Sequence, residues 1–328
     1  MLLRNVLLAT AMLVGAAAPA LAAKQPDKIV VFGDSLVDAG NISFLTGGAY
    51  DPPSKGYFPG RFTNGPDYTD LLSQRLYGQL STPSLLGGTN YAFGGARIVN
   101  DGDAVPDLAV QVGGYLAAVG QVADPNALYI INDGGNDVYG IEAGSIGGYS
   151  SVATYTTALL DTLAASVEAL SARGATHILV TGIPNDDATA FALDALVQAR
   201  LDAIEPGLTG TTLERFSYND FFTRLQADPM KFGVAPITHL PTDGCFSHLS
   251  PPATQDCSGY FSVDGIHPIA PIQAAIFREV SHITGIGSVP EPGSWALMIA
   301  GFGMVGAGLR RSRIGTALRR PASMTAAA

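Results

Sequence analysis

Apolar residues recur with two spacings along residues 24–288. Continuous β-branched and apolar runs occupy 28–32 (K-I-V-V-F), 127–131 (A-L-Y-I-I) and 177–181 (H-I-L-V-T). Runs this short, each near glycine or a polar turn, read as strands covered on both faces. A weaker strand is predicted over 213–218. Between them the spacing changes to that of helices. Residues 67–77 place Tyr68, Leu71, Leu72 and Leu76 on one face. Further helices are predicted over 108–119 (weakened by Gly113-Gly114), 152–172 (ended by Gly174), 188–204 and 221–227. A last one begins near Pro268 and runs to about His282. Strands alternating with helices of this length predict a parallel α/β sheet with right-handed crossovers.

Ligands of such sheets bind beyond the carboxyl ends of the strands. Two polar motifs fall there: Gly33-Asp34-Ser35 after the first strand and Asp133-Gly134-Gly135-Asn136-Asp137 after the second. The stretch from Gly40 to Gly65, with Pro52, Pro53 and Pro59, reads as an elaborated loop facing substrate as a lid.

The two ends of the chain carry a different pattern. Residues 1–23 join one arginine, an apolar core and a small-residue A-L-A site, as a secretory signal peptide does. Near the other end, P-E-P is followed by 15 uncharged residues from Trp295 to Leu309 and then by Arg310, Arg311 and Arg313. That apolar run is short for a full membrane span. The order of motif, apolar stretch and basic cluster resembles the PEP-CTERM sorting signal of Gram-negative bacteria. The resemblance implies export, transient membrane association through residues 289–313, and recognition by an exosortase-like sorting machinery. The product would reside in the periplasm, at the cell surface or outside the cell. The expected division is a signal peptide at 1–23, a folded body at 24–288, the sorting segment at 289–313 and a short tail at 314–328.

Charge narrows the partners of the body. It holds 12 Lys and Arg against 27 Asp and Glu, a net charge of −15. Such a surface repels nucleic acid and anionic membranes and admits neutral or cationic substrates more easily. Its two cysteines, Cys245 and Cys257, lie close together, and in an exported chain they read as a disulfide. His248 between them leaves a metal site as the alternative.

The candidate chemistry joins the first strand to the end of the body. Ser35 follows a strand exit, and Asp264 and His267 stand three apart in D-G-I-H-P. A serine hydroxyl becomes a nucleophile when an imidazole takes its proton, and a carboxylate orients that imidazole. Two intervening residues let Asp264 and His267 lie on one side of a turn. For a developing oxyanion the chain offers the Ser35 amide, the Gly94 amide and the Asn136 side chain. No G-x-S-x-G occurs, which argues against an α/β-hydrolase nucleophile elbow.

Four segments together resemble the SGNH, or GDSL-type, esterases and lipases: F-G-D-S-L-V-D-A-G-N, N-Y-A-F-G-G-A-R, G-G-N-D and D-G-I-H-P. G-R-F-T-N-G-P at 60–66 resembles the plant-type and autotransporter-esterase branch. The resemblance implies a flavodoxin-like three-layer α/β/α sandwich and a carboxylic ester hydrolase that needs no cofactor or metal. It implies Ser35 as nucleophile and first oxyanion donor, Gly94 and Asn136 as further donors, and His267 with Asp264 as base and orienter. Asp133, just before the third segment, departs from the family pattern and is expected to add a charge near the site. Asp38, Asn41 and Asp137 are expected to fix loops. Arg61 and Arg97 read as carboxylate partners more than substrate ligands.

Three functions fit this reading. The first is an exported esterase or lipase acting on small-molecule, lipid or glycan esters. The second is an O-acetylesterase of envelope or exopolysaccharide. The third is a non-catalytic matrix or binding protein that keeps the fold.

Overall fold

Strands β1 (Lys28–Gly33), β2 (Ala127–Asn132), β3 (His177–Thr181) and β4 (Thr212–Phe216) form one all-parallel sheet in that order in the computed structural model. The structure describes residues 25–248, 256–287 and 301–302. The expected signal peptide lies outside them, as does the sorting segment apart from residues 301–302. Residues 25–288 make up one compact unit.

A fifth segment completes the sheet. Val31 donates to Thr89 O, Tyr91 donates to Val31 O and Phe93 donates to Gly33 O. Residues 89–93 therefore run beside β1 on the side away from β2, although only Asn90 makes a formal bridge to it. Counting this segment as the second strand gives the order 2-1-3-4-5, the flavodoxin-like arrangement. The chain reverses its direction of progress across the sheet at β1, so a crevice opens at the carboxyl end of that strand.

Alternation along the strands supplies two cores. Val30, Phe32, Tyr129, Ile131, Ile178 and Val180 face helices α3 (Leu108–Ala118), α5 (Val152–Ala172) and α6 (Ala188–Ile204). Ile29, Val31, Leu128, Ile130 and Leu179 face α2 (Tyr68–Tyr77), α7 (Tyr218–Ala227) and α9 (Ala270–Ile283). This is the expected three-layer sandwich. Two shorter helices, α1 (Asn41–Thr46) and α4 (Gly135–Glu142), and the single turn α8 (Cys245–His248) complete the set among the described residues.

The departures from expectation have local causes. Helix α7 starts three residues before the predicted position because the Ser217 hydroxyl accepts the Asp220 amide and caps it. The glycine-rich segment after β2 is a helix: Gly134, at φ 105°, turns the chain and α4 begins at once. The 40–65 loop is anchored near its C-terminal end. Arg61, 8% exposed, makes a bidentate pair with Asp70 at 2.8 and 2.7 Å and donates to the carbonyls of Ala39, Pro59 and Ser81. No described helix is long and apolar enough to cross a membrane.

Candidate active site

Register along the sheet levels two strand ends. Gly33 pairs with Asn132, so the turns that follow emerge side by side. Ser35 stands in the first turn, half-buried, with its amide free of any protein acceptor among the described residues. The turn is shaped by Asp34, whose Oδ1 accepts the Leu36 amide at 2.9 Å and whose carbonyl accepts the Val37 amide at 3.3 Å.

His267 and Asp264 reach Ser35 from a hairpin between β4 and α9. Val263 donates to His267 O and Ile269 donates to Phe261 O, which closes the hairpin. His267 Nε2 lies 2.7 Å from Ser35 Oγ, and Nδ1 lies 2.6 Å from Asp264 Oδ2. Asp264 Oδ1 accepts the amides of Ile266 and His267 at 3.0 and 2.9 Å. Burial pushes the Asp264 carboxyl up, but the hydrogen bonds and charge of His267, with the Tyr57 hydroxyl, outweigh it and hold the group at about 2. An ionised carboxylate only accepts, so Nδ1 carries the ring proton and Nε2 faces Ser35 with its lone pair. Phe62 lies over the imidazole, ring centroids 5.1 Å apart.

The expected set of oxyanion donors needs one revision. Gly94 was expected to present its N–H, but that N–H already donates to Asp38 Oδ2 at 2.9 Å. Its glycine character has a packing cause, because a Cβ there would stand 2.7 Å from the Phe62 ring. The next residue, Gly95, sits at φ 91° in the turn closed by the Ala96 amide on Phe93 O. Only glycine takes that position without strain, and the Gly95 amide meets no acceptor among the described residues. The sequence signal was available: the third position of such a turn demands glycine, whereas the second does not. Asn136 Nδ2 donates to Ala96 O at 2.9 Å, which places its side chain beside the same turn with one amide hydrogen still open. Helix α4 begins one residue earlier, so its N-terminal amides add positive potential there.

Buried carboxyls surround this end of the sheet. Asp34 is pushed up to about 7 by burial, with the Leu36 amide and His267 opposing. Burial, with Asp34 and Asp137 nearby, pushes Asp133 well above the usual range. Burial around the Asp133 carboxyl therefore opposes the charge expected there. Asp137 accepts from the Ile98 and Val99 amides and the Tyr155 hydroxyl, tying α4 to the segment after the Gly94-Gly95 turn. Asp38 and Asn41 fix the loop after Ser35 as expected. Arg97 pairs with Asp101 at 3.2 Å. Cys245 and Cys257 are bonded to each other, which removes both thiolates as metal ligands beside His248. A cavity of about 40 Å³ opens over Ser35, walled by Leu36, Asn136, Tyr139, Pro184, Phe222 and Phe261.

A parallel three-layer fold with serine, imidazole and carboxylate in one hydrogen-bonded line at the sheet's carboxyl end has the form of a serine hydrolase. The sequence model of the GDSL-like lipase/acylhydrolase family matches residues 29–280. The chain belongs to that family of carboxylic ester hydrolases. The PEP-CTERM protein-sorting motif matches residues 288–313, which marks the chain for export. Lipase 1 of Photorhabdus luminescens is 39% identical over 119 residues, covering 34% of this chain and 16% of that lipase. A GDSL esterase/lipase of Arabidopsis thaliana is 30% identical over 194 residues, covering 47% of this chain and 51% of the relative. The chain thus spans about half or less of the curated relatives it matches. An acetylxylan esterase from Geobacillus stearothermophilus superposes with a TM-score of 0.44 at 15% identity, over 83% of this chain and 100% of that one.

Proposed function

We propose that the protein is an exported serine esterase that cleaves carboxylic esters through an acyl-enzyme. Ser35 Oγ attacks the ester carbonyl while His267 Nε2 takes its proton. The carbonyl oxygen becomes an oxyanion, received by the Ser35 amide, the Asn136 side chain and the Gly94-Gly95 turn, in which Gly95 has the open N–H. Collapse breaks the bond to the alcohol, which leaves with the proton from His267. Water then attacks the acyl-enzyme with His267 as base again, and the acid departs. Asp264 keeps the proton on Nδ1 throughout and offsets the charge of the imidazolium.

The observation that carries this reading is the unbroken line from Ser35 Oγ through the imidazole to Asp264 Oδ2, at 2.7 and 2.6 Å. Ser35→Ala is expected to abolish hydrolysis of p-nitrophenyl esters while leaving the circular dichroism spectrum unchanged. Full activity in that variant refutes the assignment. A fluorophosphonate probe labels Ser35 on this reading and leaves it untouched in a non-catalytic matrix protein.

The size of the cavity favours a second, narrower reading, an O-acetylesterase of envelope or exopolysaccharide. The recess of about 40 Å³ beside the nucleophile accommodates a short acyl group. An acyl series on one leaving group separates the two: steady decline beyond acetyl supports the narrower reading, and a maximum at longer chains removes it. The sorting motif supports a product held at or beyond the cell envelope after processing of residues 289–313.

A further inference from the structure

We propose that Tyr57 is a positioning residue of the catalytic line: its hydroxyl pins the Asp264 oxygen that holds His267 and so aims the imidazole at Ser35. The inference rests on the Ser35–His267–Asp264 reading above. Tyr57 comes from the loop between α1 and α2, 207 residues from Asp264 in the chain, and its hydroxyl donates to Asp264 Oδ2 at 2.7 Å. The same oxygen receives His267 Nδ1 at 2.6 Å, while Oδ1 takes the Ile266 and His267 amides. Each carboxylate oxygen thus has two donors. Three of the four belong to the Asp264–His267 turn itself and move with it. Among the described residues only Tyr57 ties the carboxylate to another part of the fold.

The ring that delivers this hydroxyl is clamped. Tyr57 is 9% exposed. Phe246 meets it edge-on with centroids 4.9 Å apart, and Phe62, which also covers the imidazole, lies 6.4 Å away. The Phe246 amide donates to Val263 O, one residue before Asp264, and a Cβ at the neighbouring Gly56 would stand 2.7 Å from the Phe246 ring. The disulfide partner Cys245 donates in turn to Ser262 O. Loop, disulfide turn and catalytic hairpin are therefore packed around one phenol. Burial and the Asp264 charge push the phenol's pKa upward, so it remains a donor at any working pH.

A purely structural phenol, one that takes the nearest acceptor to satisfy itself, makes different predictions. Tyr57→Phe keeps the ring and its edge contacts and removes one oxygen. On the positioning reading, kcat for p-nitrophenyl acetate falls about tenfold, the scale of one hydrogen bond to a charged group, with KM unchanged. The acid limb of kcat/KM moves to higher pH, because a carboxylate with one donor fewer holds the imidazolium more strongly. The loss of kcat disappears in the Asp264→Asn background, since Tyr57 acts through that carboxylate. A Tyr57→Phe enzyme with wild-type kcat and pH profile, changed only in its urea midpoint, overturns the proposal. So does a tenfold loss that persists undiminished beside Asp264→Asn. Ser35→Ala keeps the two levels apart: if it is dead while Tyr57→Phe is normal, only this inference fails, and if it is active, the catalytic line itself fails.

Discussion

Replacing Asp38 with asparagine changes one atom type and leaves the side chain's size alone. In the wild-type protein this carboxylate, 1% exposed, collects four backbone donors. Oδ1 accepts Gly40 and Asn41 at 2.8 and 2.7 Å, and Oδ2 accepts Ile42 and Gly94 at 3.1 and 2.9 Å. An asparagine oxygen can serve one of these pairs. Its NH2 group then faces the other pair, donor against donor, whichever way the amide is flipped. Two N–H groups in a packed site lose their acceptor, at about 1–3 kcal/mol each. A gain opposes this, because burial already raises the Asp38 carboxyl above its ordinary value and the neutral amide escapes that cost. The balance is a destabilisation of about 3 kcal/mol, or a fall of about 1 M in the urea midpoint for a domain of this size. Far-UV circular dichroism during urea titration reads it. Because the lost pair includes either the start of α1 or the Gly94 anchor, ester hydrolysis falls as well. A urea midpoint and kcat equal to those of the wild type refute the view that Asp38 ties the serine loop to the Gly94-Gly95 turn.

Two further expectations concern the whole domain. Asp34 and Asp67 are raised to about 7 and Asp107 to about 6, mainly by burial. A carboxyl raised in the folded state gives full stability below its unfolded pKa near 4 and loses it as pH rises through the folded value, so the urea midpoint should fall from pH 5 to pH 8. Asp264, held at about 2, acts in the opposite sense and its contribution is lost as pH falls from 4 towards 2, which places the maximum near pH 4–5. A midpoint that climbs between pH 5 and pH 8 contradicts the buried-carboxyl account. Replacing Cys245 and Cys257 together with alanine opens a link across a sequence separation of 12, worth about 3 kcal/mol on the chain-entropy model. An unchanged urea midpoint for that variant shows that the bond does not constrain the unfolded chain.

The parts of the fold that declared themselves in the sequence are those set by continuous local pattern. Strands β1, β2 and β3 are apolar runs because both of their faces are covered, and α5 and α6 carry a helical repeat long enough to read. What stayed hidden depends on partners distant in the chain. Residues 89–93 join the sheet through three hydrogen bonds to β1 and carry little strand pattern of their own. Helix α1 has no side-chain cap at Gly40, and its first amides turn instead to Asp38. Helix α4 opens on two glycines, which on composition alone mark a turn. Ser35, His267 and Asp264 stood out by their motifs, and the structure brings them into one line. Tyr57 did not, since nothing local to a tyrosine in a proline-rich loop points to a carboxylate 207 residues away.

The sheet order accounts for how these groups divide their tasks. Three adjacent strand ends, those of residues 89–93, β1 and β2, deliver the Gly94-Gly95 turn, Ser35 and Asn136 to one edge. All three strand ends are fixed by backbone pairing. His267 and Asp264 stand on a hairpin outside the sheet, held by Tyr57, by Phe62 and by the disulfide turn. On the proposed mechanism, nucleophile and oxyanion donors therefore share one support, the strand ends, and the base has another. Damage to the sheet edge should lower kcat across the whole pH range, because it misplaces donors that do not titrate. Damage to the hairpin or its braces should also move the acid limb, because it changes what the imidazole meets on its Nδ1 side.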